Sequence, residues 1–236
     1  MEIGKKTAHC SCCNNNCEMN YGIENYDMSK LDKENYSNYK DIYVYKCPKC
    51  GFISTDISGD DVKLYNLYKG TTEFQNALRY RYLKGYNLIP MYDENWSAAY
   101  PVYNYDPYAI MYSNSPDTEF KLRTLNKAIE LKENMKQRYL SDWYESHEEG
   151  EDEKDHNILQ NLIKKNLIIS CEKFITIAKS CDDLNVFLQL MLVENLYRIG
   201  NNSEAKKLYN LIKQKYTLSD DLKEYFEILK YNKESK

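Results

Sequence analysis

The chain has no run of 18 or more apolar residues, and its first residues, Met1-Glu2-Ile3-Gly4-Lys5-Lys6, pass into polar, cysteine-rich sequence without an apolar stretch. These absences exclude a membrane-spanning helix and a usual secretory signal, so the cytoplasm is the expected compartment and no membrane partner is expected. The glycine is not at the second position, which removes a myristoylation signal. Histidine is scarce, with three residues in the chain, leaving few side chains to act as near-neutral bases. A Gly-rich phosphate loop, a His-Glu-x-x-His helix and a Ser-His-Asp order are all missing. The expectation is a protein with no catalytic residues, not an enzyme. Excess positive charge is missing too: the net charge is -4, and residues 1–60 carry seven lysines against nine acids. A phosphate-seeking surface has the opposite balance, which argues against nucleic acid as the partner.

Tyrosine, in contrast, is abundant at 24 residues, and lysine outnumbers arginine 27 to 5. An AT-rich genome, whose codons favour Lys, Asn, Tyr and Ile, accounts for both more simply than base stacking, which also needs a basic groove. The most informative residues present are the cysteines. Cys10 and Cys13, then Cys47 and Cys50, form two Cys-x-x-Cys pairs, the second within Cys47-Pro48-Lys49-Cys50-Gly51-Phe52. Four thiols so spaced can close a tetrahedral zinc site, and a closed four-thiolate shell leaves no open position for catalysis, so the expected zinc is structural. Gly51 stands where a metal knuckle turns its backbone amides toward the sulfurs. Cys12 and Cys17 are additional thiols, so Cys13 and Cys17 form a competing first pair, with His9 a further substitute. A thiol-redox role for Cys47 and Cys50 is an alternative, but a thioredoxin-like site needs a βαβ context that this segment lacks. A secreted disulfide framework fits poorly, because Cys171 and Cys181 lie in apolar helical sequence.

The expected fold class is mainly α, with a small zinc-ribbon-like β head over residues 1–59 and an α-helical body over 60–236. In the head, the 33 residues between Cys13 and Cys47 show little periodicity and read as a long loop or irregular hairpin. Residues 41–46 read as a strand leading into the second cysteine pair, with 52–57 as its return. In the body, Val62, Leu64, Tyr65, Leu67 and Tyr68 open a short helix, and Thr71 and Thr72 cap another toward Gly85. Four prolines break up residues 86–117. A long helix starts at Pro116-Asp117, with a stripe from Phe120 and Leu122 through Ile129 toward Tyr139 and Trp143. The acidic run 145–155 reads as a solvated connection; His147 and His156 flank a glycine in this charged segment, without fixed metal geometry. A second amphipathic helix runs from Ile158 to near Ser180, with Cys171 as a core residue. Asp182 or Asp183 caps a helix over 186–199, and shorter helices follow from Ser203 and from Ser219.

The segment from Leu192 through Ala205, with Gly200 as its turn and Tyr209 beyond, resembles the core of a tetratricopeptide repeat near 186–215. A groove of that kind would take a protein or peptide partner, with Glu194, Tyr197 and Arg198 facing it. Taken with the cysteine pairs, the chain resembles a bacterial family known as domain of unknown function 2225. The matching residues are Cys10, Cys13, Cys47, Pro48, Cys50, Gly51 and Phe52, then Ile199, Gly200, Asn201, Glu204 and Ala205. That resemblance implies a metal-bound head and a helical body, and no activity. The functional expectation is a zinc-binding protein-protein interaction module or adaptor; the alternative is a nucleic-acid-associated zinc-ribbon protein.

Overall fold

The computed structural model describes residues 3–22, 25–42, 45–54, 59, 61–72, 74–75, 110–111, 117–130, 133 and 153–234. The described chain is mainly helical, with short antiparallel β pairs near the cysteine cluster. Expectations for the approach to Gly85, for 86–109, for Tyr139 and Trp143 and for the acidic run before Glu153 lie outside the described residues. Two compact units divide it. Unit 1 comprises Met1–Tyr26 and Asn38–Ala128, and unit 2 comprises Asp27–Ser37 and Ile129–Lys236.

Unit 1 opens with two β hairpins. Strand β1 (Ile3–His9) pairs with β2 (Asn16–Gly22) in a register running from Ile3 opposite Gly22 to His9 opposite Asn16. Strand β3 (Tyr45–Lys46) pairs with β4 (Ile53–Ser54), Tyr45 opposite Ser54 and Lys46 opposite Ile53. The first hairpin corrects the sequence expectation, because β2 and helix α1 (Lys33–Lys40) occupy the stretch read as loop or irregular hairpin. Both are polar. The α1 sequence carries only Tyr36 and Tyr39 as large apolar side chains, too few for a helical stripe, and Asp32 caps it by accepting the Asn35 amide at 2.8 Å. The division between the units falls within α1, after Ser37.

Helix α2 (Val62–Tyr68) sets Tyr65 against Phe52 and Phe74, with ring centroids 5.3 and 6.0 Å away. Thr71 Oγ1 accepts the Phe74 amide, as its capping role predicts. Helix α3, described over 118–130, is capped by Asp117, whose carboxylate accepts the Phe120 amide at 3.1 Å. The stripe residues Leu122, Leu125, Ala128 and Ile129 are buried, but so are Arg123, Thr124 and Asn126. Arg123 explains part of this. Its guanidinium lies over the Tyr39 and Tyr26 rings, 4.7 and 5.2 Å from their centroids, while Nε donates to the Tyr39 carbonyl at 2.8 Å.

Unit 2 is built on α4 (Glu153–Lys179), α5 (Val186–Arg198), α6 (Asn202–Lys215) and α7 (Asp220–Glu234). Helix α5 is buried along nearly its whole length and packs against α4, α6 and α7. Its cap is Asn185, which accepts the Leu188 amide at 3.0 Å, rather than Asp182 or Asp183; the helix starts three to four residues after those acids, beyond the reach of a cap. Gly200 ends it at φ +81°, with the Gly200 amide donating to Tyr197 and the Asn201 amide to Leu196, the paired bonds of a left-handed helix stop. Leu192, Leu196, Ala205 and Tyr209 are buried, so the α5–α6 hairpin uses the packing residues its repeat-like sequence picks out. Tyr36, Phe187, Tyr209 and Phe226 form an aromatic cluster in this core, in which Tyr209 stacks on Phe226 at 5.0 Å. No helix among the described residues is long and apolar enough to cross a membrane.

Candidate metal centre

Each Cys-x-x-Cys pair occupies the six-residue tip of a hairpin, residues 10–15 between β1 and β2 and residues 47–52 between β3 and β4. The two tips are closed by the same hydrogen bonds. Cys10 N–H donates to the Asn15 carbonyl at 2.9 Å as Cys47 N–H donates to Phe52 at 2.8 Å. The amides of Asn14 and Gly51 return to the Cys10 and Cys47 carbonyls at 2.8 and 2.9 Å. The fifth residue of each tip is left-handed, Asn14 at φ +62° and Gly51 at φ +76°. Asparagine is among the few residues other than glycine that take this conformation readily, so Asn14 in the first tip plays the part that Gly51 plays in the second.

The result is convergence. Sulfur atoms of Cys10, Cys13, Cys47 and Cys50 all lie within 4.8 Å of one another, with Cys10 to Cys50 and Cys13 to Cys47 each 3.7 Å. A disulfide would need about 2.05 Å, and all eight cysteines are free. A tetrahedral ion with metal–sulfur bonds of about 2.3 Å holds its sulfurs about 3.8 Å apart, so this donor set fits such an ion. Burial has the same order in both tips, the first cysteine of each pair enclosed and the second half-exposed. Backbone amides complete the match. Those of Cys13 and Cys12 turn to the Cys10 sulfur as those of Cys50 and Lys49 turn to the Cys47 sulfur. The Asn15 and Phe52 amides do the same for Cys13 and Cys50.

Acidity is not uniform across the four. Burial opposes ionisation of Cys47, but the Cys50 and Lys49 amides and the neighbouring thiols outweigh it and bring the thiol down to about 6. Burial pushes Cys10 and Cys50 up. Cys13 is lowered by the side chain and amide of Asn15. Thiols that bind a metal do so as thiolates, and hydrogen-bond donors aimed at the sulfurs favour that form.

A fifth sulfur adjoins the four. Cys17, on β2 opposite Ala8, is 3% exposed and places its Sγ 3.5 Å from that of Cys47. Burial, followed by the adjacent Cys47 sulfur, raises its thiol to about 11. It stands outside the set of four mutually close sulfurs, as does Cys12. The His9 ring is turned to other partners: Nδ1 lies 2.9 Å from Asn16 Oδ1 and Nε2 2.8 Å from Asn14 Oδ1. The amide oxygens of Asn16 and Asn14 favour the protonated ring and raise its pKa, which does not suit a metal ligand. His156 falls within α4 and His147 lies outside the described residues.

The groove-facing expectation for Glu194, Tyr197 and Arg198 is corrected by their burial. Glu194 Oε1 accepts from the Tyr36 and Tyr225 hydroxyls at 2.7 and 2.9 Å, and Oε2 lies 3.3 Å from Arg198 Nη1. Arg198 Nε in turn donates to Glu133 at 2.9 Å. The repeat-like sequence identifies the hairpin but not which of its faces is covered; α1 and α7 supply the two tyrosines that enclose this one. Burial, then the Glu194 charge, holds the Tyr36 phenol well above its ordinary value, while Glu194, Glu133 and Glu130 outweigh burial in keeping Arg198 charged. No family profile, curated protein or solved structure matches this chain.

Proposed function

We propose that the protein is a zinc-binding, non-enzymatic adaptor, in which the four-thiolate centre is structural and the helical part engages a protein or peptide partner. The observation that carries the metal half is the mutual approach of the Cys10, Cys13, Cys47 and Cys50 sulfurs from two hairpin tips of matching geometry. An all-sulfur tetrahedral set suits zinc or iron, and zinc, with no geometric preference of its own, suits a closed site whose shape the protein sets. The partner half is supported by the exposed apolar side chains on the terminal helices, Leu211 on α6 and Ile228 and Tyr231 on α7. The family resemblance of the sequence belongs to the same reading, which places the protein in the cytoplasm.

Elemental analysis of the purified, reduced protein tests the metal directly. About one zinc per chain is expected, lost in Cys47→Ser and kept in Cys12→Ser, whose sulfur is outside the set. Iron in place of zinc would change the assigned metal, and an absence of bound metal at saturating zinc would remove the reading. For the partner, affinity purification from a native lysate should enrich a protein at fixed stoichiometry; nucleic acid retained at physiological salt in its place would overturn the adaptor assignment.

A further inference from the structure

A tetrahedral ion uses four sulfurs, and the centre contains five. The surplus one, on Cys17, is not at the periphery: it is buried, and at 3.5 Å it is nearer to the Cys47 sulfur than the 3.7 Å at which Cys13 approaches the same atom. Its position is set by the first hairpin. Residue 17 is the second of β2, paired with the buried Ala8, and the exposed Asn16 and Glu18 on either side show that the strand turns this side chain, and not its neighbours, inward. A buried small apolar residue would fill such a place equally well, and the presence of sulfur there needs its own reason.

We infer that Cys17 and Cys47 form a peroxide-reactive pair, in which closure of a Cys17–Cys47 disulfide withdraws one ligand and releases the metal. The inference rests on the four-thiolate reading of the centre. The co-reactant is hydrogen peroxide, a two-electron oxidant small enough to reach the buried Cys47 sulfur past the half-exposed Cys13 and Cys50 beside it. The Cys47 thiolate attacks one peroxide oxygen, the O–O bond breaks, and hydroxide leaves, giving a sulfenic acid on Cys47. The Cys17 sulfur then attacks that sulfenic sulfur; the S–S bond forms, the S–O bond breaks, and the oxygen departs as water with the Cys17 proton. Two electrons pass from the sulfur pair to one peroxide. Closing the bond requires the sulfurs to approach by about 1.5 Å, within the reach of side-chain rotation, given a bond length near 2.05 Å. Cys10, Cys13 and Cys50 remain as three thiolates, too few for a closed shell. A thiol reductant reverses the change by exchange at the disulfide.

The test uses the full chain loaded with zinc and its Cys17→Ala variant, which keeps all four ligands. Zinc release into a chromogenic chelator is followed after addition of hydrogen peroxide, and the alkylated products are mapped by peptide mass spectrometry. The wild type is expected to release zinc at least about tenfold faster than the variant, with Cys17 joined to Cys47 as the first linkage. Equal release rates, or a first linkage confined to the four ligand cysteines, would overturn the inference. Zinc missing from Cys17→Ala before peroxide is added would also overturn it, because Cys17 would then be a ligand. A wild type that takes up no zinc at all would instead refute the metal reading on which the inference stands.

Discussion

The thiol centre of unit 1 and the Glu194 cluster of unit 2 both bury polar groups, by opposite means. In unit 2 the compensation comes from the chain: Glu194 is enclosed by Arg198 and two tyrosine hydroxyls, within a core that includes Phe187 and Phe226. In unit 1 four sulfurs converge and amides turn toward them, and the opposing charge that four thiolates would need could come only from a cation the cluster is able to hold. A site that closes on itself is stable whenever the chain is folded. One that closes on an ion has stability tied to metal supply, pH and redox state.

Metal removal should break this parallel most sharply. Metal-binding free energy at such sites is on the order of 10 kcal/mol, comparable to the whole stability of a domain. Chelation, or Cys47→Ser, is therefore expected to abolish amide protection in residues 10–17 and 47–54 while leaving that of α5 and α6 in place, as hydrogen exchange would show. Protection lost equally in both would mean that the two regions do not differ in their dependence on the ion.

The converse substitution is Glu194→Ala, which leaves Arg198 buried with one partner fewer. It should cost about 3–5 kcal/mol in denaturant unfolding of unit 2, with metal content unchanged. Glu194→Gln, which can still accept from the two phenols, is expected to cost less.

Alkaline pH probes the same cluster. The Tyr36 phenol is held above its ordinary value in the folded protein, first by burial and then by the Glu194 charge. The fold thus favours the neutral form, and this contribution is complete below the unfolded value of about 10 and declines as pH rises beyond it. In Tyr36→Phe that decline should be shallower by up to one proton's slope, about 1.4 kcal/mol per pH unit, which unfolding curves between pH 9 and about 11 would resolve.

The smallest expected effects concern the hairpin tips. Gly51→Ala should cost about 1–2 kcal/mol through its positive φ, since the added Cβ would meet Tyr65 Oη at an ordinary 3.5 Å. Asn14→Gly should be neutral or slightly stabilising, and Asn14→Ala should cost about as much as Gly51→Ala. Thermal unfolding of the zinc-loaded proteins checks all three, and a large loss from Asn14→Gly would deny the equivalence of the two tips.

How much of this could be read in advance varied by element. The second tip was legible because Cys47-Pro48-Lys49-Cys50-Gly51 carries its own glycine. The first was half legible. Its cysteine spacing shows in the sequence, but Asn14 is inconspicuous in the run Asn14-Asn15-Asn16 until its φ is known. Strands β1 and β2 were missed because their lysines, asparagines and glycines have low strand propensity. The α5–α6 hairpin followed from Gly200 and the small Ala205, whereas the environment of Glu194 did not. A carboxylate on a repeat-like helix reads as surface, and only the tyrosines brought by α1 and α7, 158 and 31 positions away, make it interior.

Local chemistry therefore settled what kinds of part this chain contains: cysteine pairs at metal-ligand spacing, amphipathic helices with their stops, and no apolar run long enough for a membrane. These depend on residues within a few positions of one another, where spacing and conformational preference suffice. Three further matters depended on tertiary structure: the pairing of the two tips across 34 to 40 positions, the place of Cys17 against Cys47, and the inclusion of Asp27–Ser37 in unit 2. Each is a contact between distant segments, and its free energy comes from burial and complementary geometry that no local pattern of residues encodes.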